Sequence, residues 1–211
     1  MSAPRIVQAD NGDAAAIADL VAQAFYSLAP AKWLVPDPAV RQRLLAGQFA
    51  ILAEHALRHG TVYWAGDREG VAVWFPRVEP IPEPPDYERR LSAACGKATP
   101  RFELLDALLE DNHPAEPHHH LAFLAVRPER QGDGLGTALL KRHHEVLDGA
   151  GLPAYLEASS TRNRHLYARH GYQEWEALQL PDGASFWQMW RPPRTHAGAA
   201  VGAFEVDEAA G

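Results

Sequence analysis

Residues 121–136, Leu-Ala-Phe-Leu-Ala-Val-Arg-Pro-Glu-Arg-Gln-Gly-Asp-Gly-Leu-Gly, constrain this chain more than any other stretch. The first six are an apolar run of strand length. Pro128 ends a ladder there, because it has no N–H to give and pushes its neighbour out of helical geometry. Glycines follow at 132, 134 and 136, and from Thr137 onward apolar residues recur at helical spacing. Strand, tight glycine loop and helix start gather unpaired backbone amides at the positive end of a helix dipole. Such a place favours an anionic group such as a phosphate. The loop has no Gly-Lys-Ser/Thr ending, and its glycines do not follow the G-x-G-x-x-G spacing of dinucleotide sites.

A second pattern begins about thirty residues later. Ala154-Tyr-Leu-Glu-Ala-Ser reads as a short strand. Thr161 to Tyr172 reads as a short helix closed by Gly171 in a left-handed cap. Asn163 and Tyr167 are four apart and so share one helical face. Gln131-x-x-Gly134-x-Gly136, followed by Leu156-Glu157-x-Ser159, Asn163 and Leu166-Tyr167-x-x-x-Gly171-Tyr172, resembles the two motifs of the Gcn5-related N-acetyltransferase (GNAT) family. The resemblance implies a single α/β domain over residues 1–193, with a mixed, splayed sheet of about seven strands and helices on both faces. It implies acetyl-coenzyme A as cosubstrate and a small-molecule amine as acceptor. The coenzyme would meet Arg130, Gln131, Gly132, Gly134, Leu135, Gly136, Thr137 and Asn163, with the backbone of Leu124, Ala125 and Val126 holding its pantetheine arm. Tyr167 would protonate the departing sulfur. A phenol with an ordinary pKa near 10 is protonated at neutral pH and is a good donor.

Further stretches are similar to one branch of the family, which contains puromycin N-acetyltransferase: Ala22 to Phe25, Val71 to Trp74, Glu116-Pro117, Leu180-Pro181-x-Gly183 and Trp187-x-Met189. An antibiotic or aminonucleoside acceptor is what this branch implies. Two other readings keep the coenzyme site: an acetyltransferase acting on protein lysines or N-termini, and a regulatory module that binds coenzyme A without turnover.

Bulk properties narrow the class. A formal net charge of −7 speaks against a general nucleic-acid binder and favours amines over anions as acceptors. The single cysteine, Cys95, permits no intrachain disulfide, which fits a reducing, cytoplasmic setting. Apolar runs stay short of the roughly 18 residues that a membrane span needs, so no membrane association is expected, and the chain is read as a monomer or homodimer.

Taken in order, residues 4–8 read as a first strand, and Asp10 or Asp13 can cap the helix after it. Asp37-Pro38 opens a second helix running towards Gly60. The connector between these helices carries Phe25, Tyr26 and Trp33, candidates with Trp74 for gripping an apolar amine. Thr61–Ala65 and Val71–Phe75 read as a hairpin. Five prolines between 76 and 85 predict an irregular, rigid loop, followed by short helices at about 86–95 and 101–112. Residues 174–179 and 185–191 read as the last two strands, and 194–211 as a flexible tail.

Among the titratable residues, Glu157 is the first candidate for the base that frees the amine, acting through water. His119 or His120, at the start of the core strand, is a second candidate or orients the first. Alternation along a strand leaves at most two of His118, His119 and His120 on one side, so no metal is expected. The three are otherwise read as a water-exposed strand start, and His143-His144 as lying on the solvated half of their helix. Cys95 lacks the context of a nucleophile. Asp133 places a carboxylate within the anion loop, where Arg127, Arg130 and Lys141-Arg142 would have to offset it.

Overall fold

The computed structural model describes residues 4–181 and 183–194; the expected tail lies almost entirely outside them. Seven strands form one sheet: β1 (Ile6–Gln8), β2 (Thr61–Ala65), β3 (Gly70–Arg77), β4 (His118–Val126), β5 (Ala154–Ala158), β6 (Gln173–Gln179) and β7 (Ser185–Arg191), in the order β1-β2-β3-β4-β5-β7-β6. Every pairing is antiparallel except β4 with β5. That parallel pair holds only at His119↔Ala154 and His120↔Tyr155. From Leu121 onward β4 stays bonded to β3 and leaves β5, so the sheet opens into a wedge at its centre.

The helices are α1 (Ala14–Phe25), α2 (Ala29–Leu34), α3 (Pro38–His59), α4 (Tyr87–Cys95), α5 (Thr99–Asp111), α6 (Leu135–Ala150) and α7 (Thr161–Arg169). On one face, Ile17 and Val21 of α1 and Leu45 and Phe49 of α3 pack on Val71, Val73 and Ala125. On the other, Leu139, Leu140 and Leu147 of α6 pack with Trp74, Leu121 and Leu156. Each fully buried leucine contributes about 1.5–3 kcal/mol through removal from water. The caps act as the residue types dictate. Asp10 accepts from Gly12 N at 2.8 Å while Asp13 accepts from Asp10 N at 3.0 Å, a reciprocal box that enters α1 through a 3₁₀ turn. Asp37 accepts from Ala39 N at 2.9 Å, with Pro38 in the first turn of α3.

Two expectations change. The connector after Phe25 contains a helix, α2, whose first turn takes Pro30 because the amide there has no intrahelical partner anyway. The irregular loop begins later than the first of its prolines, since β3 runs through Pro76 to Arg77. The last β2 pairing is Thr61↔Trp74, so Pro76 has a strand on only one side, where proline is tolerated. The start of β4 at His118 is as expected, and those later β3 residues pair with all three histidines.

Candidate active site

The loop after β4 is shaped by two glycines in the left-handed region, Gly132 at φ +102° and Gly134 at φ +85°. A side chain there would be strained, yet a Cβ at either position would meet no atom within 4 Å. The loop therefore presents bare backbone to open space, and Gly134 caps α6 directly. Gly136 differs: a Cβ there would touch Leu124 at 3.7 Å and Leu166 at 3.8 Å, ordinary contact, so alanine fits as well as glycine. This loop walls a cleft of about 350 Å³. Leu124, Ala125, Val126, Arg130, Gln131, Gly132, Gly134, Leu135, Gly136, Thr137, Asn163 and Tyr167 all line it.

The cations around the cleft differ from those expected. Arg130 is bound on two sides, to Asp133 at 2.7 Å and to Glu69 of the β2–β3 turn. It neutralises Asp133 and is itself neutralised. Arg142 lies over the Tyr63 ring, 5.7 Å away on the body of α6. The cleft instead takes Arg162 and Arg169 from α7, with Arg162 donating to Gln131 Oε1 at 3.1 Å. Sequence reading missed both, although Arg162, Arg164 and Arg169 crowd one nine-residue helix. With the amides of the loop they bring positive groups of the kind that suit an anion such as a pyrophosphate.

Tyr167 reaches the cleft from the α6–α7 side of the sheet and is 7% exposed. Burial pushes its phenol well above the usual tyrosine range, so it is protonated at neutral pH. Along β5 the side chains alternate: Leu156 and Ala158 face Tyr167, whereas Tyr155 and Glu157 face the opposite side. There, at the last residues before the wedge opens, His120 Nε2 meets Glu157 Oε2 at 2.8 Å. His113, His118, Tyr155 and Gln188 complete this group. His113 Nε2 is 3.0 Å from His118 Nε2, His118 Nδ1 is 2.7 Å from the Glu116 carbonyl, and Gln188 donates to the Tyr155 hydroxyl at 2.8 Å. The Glu157 carboxyl is held below the usual range. Burial opposes this, and His120, His113 and Tyr155 together outweigh it. Desolvation pushes His113 down to about 3, so it is neutral. His113 sits in the α5–β4 connection, and only the density of four histidines within eight residues signals it in sequence.

Of the expected acceptor residues, Phe25 lines the cleft and packs edge-on to Phe49 and Phe123, at 5.7 and 6.2 Å between ring centroids. The other aromatic candidates are elsewhere. Tyr26 donates to the Pro38 carbonyl at 3.0 Å under Arg41; Trp33 is buried beside Arg101; and Trp74 is sealed beneath α6, stacked on His143 at 4.2 Å. His119 also turns to the α6 side, 3.0 Å from His143 Nε2. His118 is fully buried, not water-exposed, and His143 and His144 are 1% and 5% exposed rather than on a solvated half. The stripe of α6 that packs on the sheet is wider than its leucines, and the two rings fill it against Trp74 and Tyr172. Cys95 is buried, and desolvation pushes its thiol up to about 11, which removes it as a nucleophile. Among the described residues no group of three or more His, Cys, Asp or Glu side chains is placed to hold a metal, and no helix is long and apolar enough to cross a membrane.

Comparison with known proteins agrees with this geometry. Residues 104–174 match a family model described as an acetyltransferase (GNAT) domain. The chain is similar to a Corynebacterium glutamicum protein described as histone acetyltransferase HPA2 and related acetyltransferase. They share 28% identity and a TM-score of 0.69, over 93% of this chain and 99% of that one. At the level of fold alone it is similar to arylalkylamine N-acetyltransferase 2 of Aedes aegypti, with 15% identity, TM-score 0.58 and coverage of 90% and 99%. The same holds for a Drosophila melanogaster polyamine N-acetyltransferase that forms N-acetylagmatine, with 16% identity, TM-score 0.58 and coverage of 90% and 99%. The wedge-split sheet and the glycine loop give the chain a GNAT acetyltransferase fold, with the acetyltransferase (GNAT) domain model matched over residues 104–174.

Proposed function

We propose that the protein transfers an acetyl group from acetyl-coenzyme A directly to the amine of a small molecule. The observation that carries this reading is the arrangement across the wedge: a protonated phenol, Tyr167, on one side of the split sheet and the His120–Glu157 pair on the other. Acyl transfer to an amine needs a donor for the leaving thiolate and an acceptor for the proton of the amine, and opposed faces let both act on one centre. Acetyl-coenzyme A supplies the activated acyl group. Gln131, Gly132, Gly134 and Gly136 would hold its pyrophosphate with Arg162 and Arg169, Asn163 would meet it from α7, and the open edge of β4 at Leu124 to Val126 would bind the pantetheine amides. Phe25, in its edge-to-face cluster, supports an acceptor with an apolar or aromatic body.

Calorimetric titration with acetyl-coenzyme A, with NAD and ATP as controls, tests the coenzyme reading; one-site binding of acetyl-coenzyme A alone is expected. A panel of amines followed by mass detection of acetylated products tests the acceptor. It includes puromycin, for the branch suggested by the flanking motifs, and arylalkylamines and agmatine, which the similar structures name. It also includes a lysine-bearing histone peptide, because the Corynebacterium protein carries histone acetyltransferase in its description. Product from the peptide and from none of the amines would replace the small-molecule reading.

A further inference from the structure

The network of hydrogen bonds behind the wedge divides the labour between His120 and Glu157. Glu157 is 7% exposed over its side chain, its Oε1 is buried without a hydrogen-bond partner, and its Oε2 is taken by His120. The carboxylate is thus largely withdrawn from solvent. The opposite neighbour cannot relieve Oε1. His118 Nδ1 faces the Glu116 carbonyl and must carry a proton, so its Nε2 accepts from His113 Nε2–H. Neutral His113 then turns a bare Nδ1 towards Glu157 Oε1, 3.9 Å away. Tyr155 shares in stabilising the carboxylate, and the hydrogen bond at Oε2 belongs to His120. An ionised carboxylate accepts, so His120 holds its proton on Nε2 and keeps a lone pair on Nδ1. His120 is 14% exposed over its side chain and is the outermost member of the pair.

We propose that His120 is the catalytic base, receiving the amine proton on Nδ1, and that Glu157 is a positioning residue that fixes the tautomer of His120 and stabilises the imidazolium. As the amine nitrogen bonds to the acyl carbon, its N–H proton passes to His120 Nδ1. The carbon–sulfur bond breaks with its electron pair on sulfur, and the sulfur takes the proton of Tyr167. Around His120 stand His113, His118, Tyr155 and Glu157, with Arg77 of β3 near the two other histidines and paired to Glu110 at 3.1 Å. This assignment rests on the acetyltransferase reading.

The test is the pH profile of kcat/KM, measured with an acceptor found in the panel, for the wild type, His120→Gln and Glu157→Gln. His120→Gln retains a donor to Glu157 but has no basic lone pair. It should lower kcat by about 100-fold to 10,000-fold, leave the affinity for acetyl-coenzyme A unchanged, and abolish the acidic limb of the profile. Glu157→Gln should keep that limb and move it to lower pH. The reverse pattern, a limb lost in Glu157→Gln and kept in His120→Gln, overturns the assignment and leaves the acetyltransferase reading intact. A wild type that neither binds acetyl-coenzyme A nor acetylates any amine overturns both. Nitrogen-15 NMR of the histidines in the wild type needs no variant to fold: His120 protonated on Nε2 is expected, and protonation on Nδ1 overturns the proposal.

Discussion

Two groups of buried histidines occupy opposite faces of the same sheet, and they are chemically unlike. His113, His118 and His120 surround an ionised carboxylate, Glu157, at the point where β4 and β5 part. His119 and the α6 residues His143 and His144 pack among Tyr63, Trp74 and Tyr172, and among the described residues no carboxylate hydrogen-bonds to any of them. Asp148, whose charge acts on His144, is gripped at two points by Arg191, at 2.8 and 2.7 Å. Burial lowers the proton affinity of members of both groups, so burial does not separate a site from a core. What separates them is a fixed anion that sets a tautomer, and a place beside the opening of the sheet. A histidine without the first is a polar ring used to fill volume.

The largest test of that contrast removes the anion. Glu157→Ala should lower kcat/KM for the amine by at least about 100-fold, whereas His143→Leu under α6 should leave it within a few-fold; an equal loss in both, measured on folded protein, would erase the distinction. Tyr167→Phe removes the donor facing the first group. It should lower kcat by about 10-fold to 1,000-fold with little change in acetyl-coenzyme A affinity, read by steady-state kinetics beside calorimetry.

The second group should announce itself in acid stability. Desolvation first, then neighbouring charges, push His143 and His144 down to about 3 in the folded state. The unfolded chain binds more protons than the folded one between about pH 6.5 and 3, so the stability from these rings is complete above pH 6.5 and is lost as pH falls through that range. Each should account for about 1–2 kcal/mol of loss between pH 6.5 and 5. Glu157, with a lowered pKa, contributes in a different window: its stabilisation is lost only below the usual carboxylate range. Urea unfolding at pH 7.5 and pH 5.0 should show a smaller difference for His143→Leu than for the wild type. An unchanged difference would mean that the ring is not held neutral.

The smallest effects concern the loop, which touches neither histidine group. Gly134→Ala forces a left-handed residue at about 1–2 kcal/mol and should weaken acetyl-coenzyme A binding roughly 5-fold to 30-fold by calorimetry. Gly136→Ala, with ordinary contacts waiting for its methyl, should change the dissociation constant by less than about 2-fold. Equal weakening in the two would show that the loop is not read by its backbone shape.

The residues expected to meet the coenzyme come together in the structure, and those expected to meet the acceptor do not. Gln131, Gly132, Gly134 to Thr137, Asn163 and Tyr167 stand at short fixed offsets on one loop and one helix, and all line the same cleft. Of the four aromatic candidates on the acceptor side, only Phe25 reaches it. Trp74 was expected to grip the acceptor, yet alternation along β3 sets its ring with Ala72 on the face beneath α6. His113 had no motif at all, and its significance comes from β4 and β5 folding beside its loop.

Capping at Asp10 and Asp37, the hairpin of β2 and β3, and the glycine loop opening α6 follow from residues within a few positions of one another. Local sterics and the first turn's free amides suffice to specify them. Which side of the sheet each histidine faces, and which acid it meets, depends on contacts between distant segments, as with His120 and Glu157, 37 residues apart. Only when β4 and β5 pair at His120 and Tyr155 does the imidazole of His120 come to meet the carboxylate of Glu157.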